Sequence, residues 1–291
     1  MKIDKIIFCS SEEFSPFWNI QSFLWKEKMG IEPVCLLWGE VKNTNMSDKY
    51  GQIIEKKYNP DLIKSFQMTW SKFHHTQTEP ETTWLIGDID LVPLQTEWFS
   101  DKIEDLPDDV YTHLAYGEIP RYCNKDLKSF EKLGGYVNGG IDLAAYYHVA
   151  KGKTFTKALG LDECDFATQI RRVVEDGRFG LGPVNGLTPK QAMANYSYIP
   201  IPKEEIYYWV ADENYSSYRI HNAHKQGIIE FSSHITPNGY PHDRLDRSTM
   251  RNGKYLGNLS QLKNNGYIDI HCDRPYDKQE GALKRVVEAA W

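Results

Sequence analysis

The sequence lacks the long apolar runs of a membrane protein and the cysteine pattern of a secreted one. No segment approaches the roughly 20 apolar residues that a membrane-spanning helix requires, and the apolar run near the N-terminus is too short for the core of a signal peptide. The five cysteines are odd in number and scattered, without C-x-x-C spacing, which indicates reduced thiols rather than a disulfide framework or a zinc site. We therefore expect the chain to fold and remain in the cytoplasm.

Basic residues are also in the minority. Lys and Arg number 34 against 40 Asp and Glu, a formal net charge of -6. Such a chain has no basic field to hold a phosphate backbone, which disfavours nucleic acid as a partner. With 291 residues, 41% of them hydrophobic, it can bury a sizeable core. A small anionic ligand would therefore need a local cation or a metal.

Apolar runs alternate with helical patterns along the first ninety residues. The runs at 5–10, 31–40 and 51–58 predict strands, and apolar residues at helical spacing predict helices at 17–30 and 59–75, the second opened by Asn59-Pro60. Later candidates are strands at 110–119, 228–234 and 267–272, a strand entering a helix at 134–159, and helices at 162–176 and 278–291. This alternation predicts an α/β sheet, mostly parallel, with helices on both faces.

Two aspartates follow the next apolar run, in the segment TTWLIGDIDLVPL. Alternation along a strand places Asp88 and Asp90 on one face, so that both carboxylates can turn toward a single divalent cation. Ligands of parallel sheets bind beyond the carboxyl ends of the strands, where this pair is predicted to lie. Alternatively, the two aspartates cap a turn or a following helix, but the apolar residues on both sides of the pair favour a metal site.

The same segment resembles the D-x-D segment of GT-A glycosyltransferases, in the branch that contains glycogenin and the bacterial lipopolysaccharide galactosyltransferases. The resemblance implies a single GT-A-like α/β domain, over residues 1–250, followed by a C-terminal extension at 251–291 that ends in a short helix. In that branch an arginine on the preceding helix reaches the donor, and Lys72 stands at the similar place. Lysine lacks the bidentate fork of arginine.

Three further segments resemble the family in the same order along the chain. YVNGG matches near the donor sugar, through Asn138, Gly139 and Gly140. LDECDFATQ resembles an acidic family segment. EFSSHITPNGYPHDR resembles the segment whose histidine binds the metal and whose lysine meets the diphosphate, which implies the same roles for His234 and Arg244.

The resemblance implies a metal-dependent hexosyl- or pentosyltransferase that moves a sugar from a nucleotide-diphosphate donor, expected to be a UDP-sugar. The expected acceptor is a hydroxyl of a glycan, a lipid-linked molecule or a protein, as in polysaccharide biosynthesis. Asp88, Asp90 and His234 are the predicted metal ligands. An imidazole ligand favours Mn²⁺ over Mg²⁺, because Mg²⁺ prefers oxygen. His271 is the reserve histidine ligand.

An inverting transfer needs a carboxylate that deprotonates the acceptor hydroxyl, with a pKa raised toward the working pH. Asp165 is the first candidate for this catalytic base, and Glu163 and Asp142 are the next. Negative charge at the N-terminus of a helix is an equally good explanation of Glu163 and Asp165. A retaining transfer needs no such base.

Two other functions remain open. LIGDIDLV also fits the nucleophile pattern of haloacid-dehalogenase-type phosphatases, although that family carries the motif on its first strand. The other alternative is a non-catalytic nucleotide-sugar-binding module that keeps the same fold.

Overall fold

The structure, a computed structural model, describes most of the chain: residues 1–101, 103–114, 143–176, 179, 208, 211–233, 244–245, 247–251, 254–262, 266–272 and 275–291. The chain divides into two compact units. Unit 1 comprises residues 1–57, 83–107 and 236–291, and unit 2 comprises residues 58–82 and 108–235. Both units are therefore built from separate stretches of chain.

Twelve strands lie in the described residues. They are β1 (Lys5–Ser11), β2 (Glu32–Trp38), β3 (Gln52–Lys56), β4 (Thr83–Ile86), β5 (Leu91–Pro93), β6 (Tyr111–His113), β7 (His148–Lys151), β8 (Phe231–Ser233), β9 (Arg244–Leu245), β10 (Met250–Arg251), β11 (Lys254–Tyr255) and β12 (Asp269–His271). The central sheet has seven strands in the order β3-β2-β1-β4-β7-β6-β8, beside a three-stranded sheet β5-β12-β9 and a pair β10-β11. In the central sheet β1 pairs in parallel with β2 and β4, β2 with β3, and β6 with β8, whereas β6 and β7 are antiparallel. The predicted α/β architecture with a mostly parallel sheet is confirmed.

Seven α-helices flank these strands in the described part of the chain. They are α1 (Trp18–Phe23), α2 (Lys64–His75), α3 (Glu97–Asp101), α4 (Gly152–Leu159), α5 (Phe166–Asp176), α6 (Ala211–Lys225) and α7 (Glu280–Ala290). A π-helical turn at Leu24–Lys28 continues α1. None of the helices in the described ranges is both long and apolar enough to cross a bilayer.

The core of unit 1 forms on strands that are apolar on both faces. The interior residues of β1 and β2 are almost all buried, the pattern of parallel strands covered on both sides. Helix α1 and its π-helical turn bury Trp18, Leu24 and Trp25. The segment ends at Gly30, whose φ of +67° favours glycine. Helix α7 buries Ala282, Leu283, Val286 and Val287, and Trp291 donates from Nε1 to the carbonyl of Pro93 at 3.2 Å.

In unit 2, helix α2 begins at Lys64 and not at Asn59-Pro60 as the pattern predicts. Asn59 instead forms a turn, in which its Oδ1 accepts from the backbone N–H of Asp61 at 3.0 Å. The buried side chain of Gln67 holds this turn, accepting from the N–H of Asn59 at 2.9 Å. The asparagine therefore shapes a loop before the helix.

Helix α6 has no counterpart among the predicted elements. Its inward face is largely polar, so that the apolar spacing expected of a helix is absent. Buried hydrogen bonds satisfy this face: Asn214 donates from Nδ2 to the carbonyl of Phe179 at 2.7 Å, and Ser217 accepts at Oγ from the N–H of Leu143 at 2.8 Å. Tertiary hydrogen bonds replace apolar packing here.

Two buried histidines lie on adjacent strands of unit 2. The Nε2 atoms of His113 and His148 hydrogen-bond to the carbonyl of Ala144, at 3.0 and 2.6 Å, and the Tyr111 hydroxyl lies 3.0 Å from Nδ1 of His148. Burial lowers the pKa of His113 to about 4. Burial, together with the charges of His113 and Lys72, lowers the pKa of His148 well below its ordinary value. Both imidazoles are therefore neutral near pH 7.

This pair makes the fold sensitive to acid. The unfolded chain binds protons on these imidazoles near pH 6.5, whereas the folded chain binds one on His113 only near pH 4 and one on His148 only well below pH 6.5. The free energy of unfolding therefore falls as the pH drops below about 6.5. For His113 alone the loss is about 3 kcal/mol. Urea unfolding at several pH values measures it. His113→Gln should reduce the slope of the free energy of unfolding against pH by an amount that corresponds to about one bound proton. The same change at the exposed His224 should leave this slope unchanged. Equal slopes in all three proteins would contradict this assignment.

Candidate functional site

The predicted aspartate pair lies at the carboxyl end of a buried strand, as the sequence pattern indicates. Residues 87–90, here named the aspartate loop, join β4 to β5. The N–H of Leu91 donates to the carbonyl of Asp88 at 3.1 Å and closes the turn. Asp88 is half-buried, and Asp90 is buried. At Gly87 a Cβ atom would lie 2.5 Å from the ring of Phe8, so only glycine fits there.

A histidine from the far end of the sequence approaches this loop. Strand β12 pairs antiparallel with β5 and places His271 opposite Leu91. The N–H of Cys272 donates to the carbonyl of Asp90 at 2.9 Å, which fixes the two segments together. Nε2 of His271 then lies 3.7 Å from Oδ2 of Asp90. The guanidinium of Arg247 contacts both ring nitrogens of His271, the Nδ1 atom at 3.2 Å.

The Asp90–His271 pair fits a divalent cation. Two ligands that are each about 2.1 Å from one ion lie roughly 3 Å apart at a right angle, so a small side-chain rotation allows both to bind. Among the residues that the structure describes, no group of three or more His, Cys, Asp or Glu side chains could hold a metal ion. The remaining ligands of such an ion would be substrate oxygens and water, as is common for cations that bind phosphates.

Arg244, the predicted diphosphate ligand, is engaged elsewhere in unit 1. Its Nε and Nη2 atoms donate to the two carboxylate oxygens of Asp269 at 2.7 and 2.8 Å, and the side chains are 9% and 0% exposed. This bidentate pair joins β9 to β12, two residues from His271. The contact favours a structural role for Arg244.

Lys72, the predicted donor ligand, lies on α2 in unit 2. Its side chain is almost fully buried, and its Nζ lies 5.7 Å from the ring centroid of Phe73. Its charge is one of the causes that lower the pKa of His148. A role in donor binding stays a prediction.

The two described candidates for a catalytic base lie before α5, also in unit 2. Oδ1 of Asp165 accepts from the N–H of Thr168 at 3.0 Å, and Oδ2 accepts from the Thr168 hydroxyl at 2.6 Å. These bonds lower the pKa of Asp165, the side-chain bond being the larger cause. A base for an acceptor hydroxyl needs the opposite shift. Glu163 forms an ion pair with Arg219.

Five predicted site residues lie outside the described residues. They are Asn138, Gly139, Gly140, Asp142 and His234. Their roles stay predictions.

Two residues near the aspartate loop escaped the sequence analysis. Arg247 contacts His271, and Gln21 of α1 hydrogen-bonds to the loop backbone. A polar residue on the apolar side of α1, four residues before a tryptophan, is the one signal that indicates Gln21. Nothing local distinguishes Arg247 from Arg244, because the distinction depends on the distant Asp269.

Three solved glycosyltransferase structures are similar to this chain. The galactosyltransferase LgtC, in complex with donor and acceptor sugar analogs, is 12% identical with a TM-score of 0.49, covering 98% of this chain and 95% of its own. The bifunctional glycosyltransferase WbbM, in its apo form, is 10% identical with a TM-score of 0.44, covering 99% of this chain and 49% of its own. GlyE of Streptococcus pneumoniae TIGR4, also apo, is 11% identical with a TM-score of 0.36, covering 79% of this chain and 45% of its own.

No protein-family profile and no curated protein sequence matches the chain. Sequence identities and TM-scores as low as those of the three structures carry no argument about the activity of this chain.

Because Arg244 and Asp269 form a buried ion pair, we expect removal of one partner to destabilise the chain more than removal of both. Arg244→Met removes the bidentate cation from the buried carboxylate of Asp269 and should lower the free energy of unfolding by about 3–5 kcal/mol. The double variant Arg244→Met, Asp269→Leu removes both charges and should recover most of that loss. Urea unfolding of both variants measures this. Wild-type stability in Arg244→Met would show that the pair does not hold β9 to β12.

Two substitutions of Asp165 distinguish a helix cap from a catalytic base, because they affect stability and turnover differently. Asp165→Ala removes a helix cap and should cost about 1 kcal/mol, whereas Asp165→Asn keeps a capping side chain and should cost only a few tenths. Thermal unfolding of both variants measures these losses. If Asp165 only caps α5, Asp165→Asn also keeps its turnover. A loss of at least about 100-fold in turnover with unchanged stability would instead identify Asp165 as the base.

Proposed function

We propose that this chain is a metal-dependent glycosyltransferase with the GT-A fold. It would move a sugar from a nucleotide-diphosphate donor, expected to be a UDP-sugar, to a hydroxyl of a glycan, lipid-linked or protein acceptor in the cytoplasm. The observation that carries the proposal is the approach of the Asp90 carboxylate to the His271 imidazole, beside Arg247, at the carboxyl end of β4. Parallel sheets bind ligands beyond the carboxyl ends of their strands.

In this proposal Asp90 and His271 hold a divalent ion, with Asp88 in the same loop. The mixed oxygen and nitrogen donor set favours Mn²⁺ over Mg²⁺. When bound, the ion would stabilise the negative charge that develops on the leaving diphosphate, as a Lewis acid. His234 remains the alternative to His271 that the sequence resemblance implies.

Arg247 is the cation that we assign to the donor diphosphate. Its side chain is exposed and contacts His271, so it can reach an anion bound at that histidine. The guanidinium of Arg244 already makes a bidentate contact with Asp269. Arg244 would instead position β12, and with it His271. A fixed cation beside a developing anion stabilises the transition state without reorganisation.

Deprotonation of the acceptor depends on stereochemistry. The hydrogen bonds from Thr168 stabilise the charged form of Asp165 and make it a weak proton acceptor. In an inverting transfer Glu163 or Asp142 would be the base. A retaining transfer would use neither.

The donor site is tested by thermal unfolding with a panel of nucleotide-diphosphate sugars, each with and without Mn²⁺. A ligand that binds only the folded chain raises its melting temperature by mass action, by roughly 5 °C at about 100 times the Kd. We expect this shift with one donor, and only when Mn²⁺ is present. Asp90→Ala and His271→Ala should abolish it, whereas Asp277→Ala, at an exposed carboxylate elsewhere in unit 1, should retain it.

The same assay, together with a measurement of released nucleotide diphosphate, separates the alternatives. A shift with phosphomonoesters and Mg²⁺, and with no nucleotide sugar, would support the phosphatase. A shift with a donor that never releases free nucleotide diphosphate in the presence of acceptors would indicate a binding module. Either result would overturn the proposed transfer reaction.

A further inference from the structure

The backbone of the aspartate loop is held from the side of α1 by one buried amide. Gln21 is fully buried, and its Nε2 donates to the carbonyls of Ile89 and Leu91 at 3.0 and 2.7 Å. Its Oε1 accepts from Nε1 of Trp25 at 3.0 Å. Since Trp25 can only donate, this bond fixes the orientation of the amide and turns its N–H groups toward the loop.

The other carbonyls of the segment bond to different groups. The carbonyl of Asp90 accepts from the N–H of Cys272 at 2.9 Å, and that of Asp88 accepts from the N–H of Leu91 at 3.1 Å. Each carbonyl from Asp88 to Leu91 therefore has a donor, with Gln21 on both sides of Asp90. Rotation of the Asp90 backbone would break hydrogen bonds in a buried setting, where unpaired polar groups are costly.

We propose that Gln21 is a positioning residue of the metal site. Its amide holds the aspartate loop in the conformation that directs the carboxylate of Asp90 toward His271. The proposal rests on the metal site of the proposed function, although the contact of Gln21 with the loop does not. Residues that orient metal ligands without touching the metal commonly change its affinity by about 10–100-fold when they are replaced.

The chain contains a matched control for this arrangement. In unit 2, Oε1 of the buried Gln169 accepts from Nε1 of Trp70 at 2.9 Å, and its Nε2 donates to the carbonyl of Leu161 at 3.0 Å. Longer bonds of 3.3 Å reach the carbonyls of Gly160 and Cys164. The chemistry of tryptophan, glutamine and loop carbonyls is the same, but this loop carries no proposed metal ligand.

The test compares Gln21→Met with Gln169→Met by hydrogen–deuterium exchange and by Mn²⁺ binding, measured from the electron paramagnetic resonance signal of free Mn²⁺. Methionine keeps the length of the side chain and removes its donors. In Gln21→Met we expect amide exchange in peptides that contain Leu91 and Cys272 to accelerate at least about tenfold, and Mn²⁺ affinity to fall by about 10–100-fold. Gln169→Met should lower the melting temperature to a similar extent and change neither quantity.

A second variant separates the two halves of the contact. Gln21→Glu keeps an acceptor for Trp25 but presents a carboxylate to two carbonyl oxygens, so it should reproduce the faster exchange and the weaker Mn²⁺ binding. Gln21→Glu also provides the test if Gln21→Met does not fold.

The possible results are distinguishable. Exchange and Mn²⁺ affinity at wild-type levels in a folded Gln21 variant would overturn the proposal. Faster exchange of the loop in a chain whose wild type binds no Mn²⁺, either alone or with the panel of nucleotide-diphosphate sugars, would overturn the metal site of the proposed function and its link to Gln21, while upholding that Gln21 holds the loop. A simultaneous loss in Gln169→Met would show a general effect of stability and would also overturn the proposal.

Discussion

A loop that carries carboxylates at the edge of a buried sheet has to satisfy its backbone groups without help from water. In the aspartate loop this requirement is met by the side chain of Gln21 on one side and by the N–H of Cys272, directly after β12, on the other. Buried glutamines do the same for two further loops, through Gln67 at 59–62 and Gln169 at 160–164. Because one amide can bond several carbonyls, loops with little apolar content are fixed by the helices beside them.

Electrostatics place a second demand on the same region. Asp269 is fully buried and requires a cation, which Arg244 provides with bidentate geometry. That requirement commits one arginine to the structure of the small sheet and leaves Arg247 beside His271. Two arginines three residues apart therefore have different partners, and the neighbourhood of Asp90 combines a carboxylate, an imidazole and a guanidinium.

Much of the fold was predictable because it depends on local apolar patterns. The strands β1, β2 and β4 follow from continuous apolar runs, and the position of Asp88 and Asp90 follows from the run before them. Helix α6 was missed because its inward face is polar. The start of α2 was placed too early because Asn59 favours a turn as well as a helix start.

The candidate site was less predictable, since its contacts join residues that are far apart in sequence. The roles of His271 and Arg247 depend on the antiparallel pairing of β12 with β5, which no local pattern reveals. For Asp165, the sequence already presented capping and catalysis as equal alternatives, and the contact with Thr168 shows that the side chain caps α5. A helix cap and a catalytic carboxylate use the same residue types, so a catalytic role of Asp165 stays a prediction.

The pairing of β12 with β5 also sets the order in which the molecule matures. The ribosome releases the aspartate loop first, whereas the N–H that bonds Asp90 and the imidazole that approaches it belong to residues made much later, Cys272 and His271. A nascent chain, or one terminated before β12, holds the acidic half of the site without the basic half. The two halves therefore come together only after β12 has been synthesised.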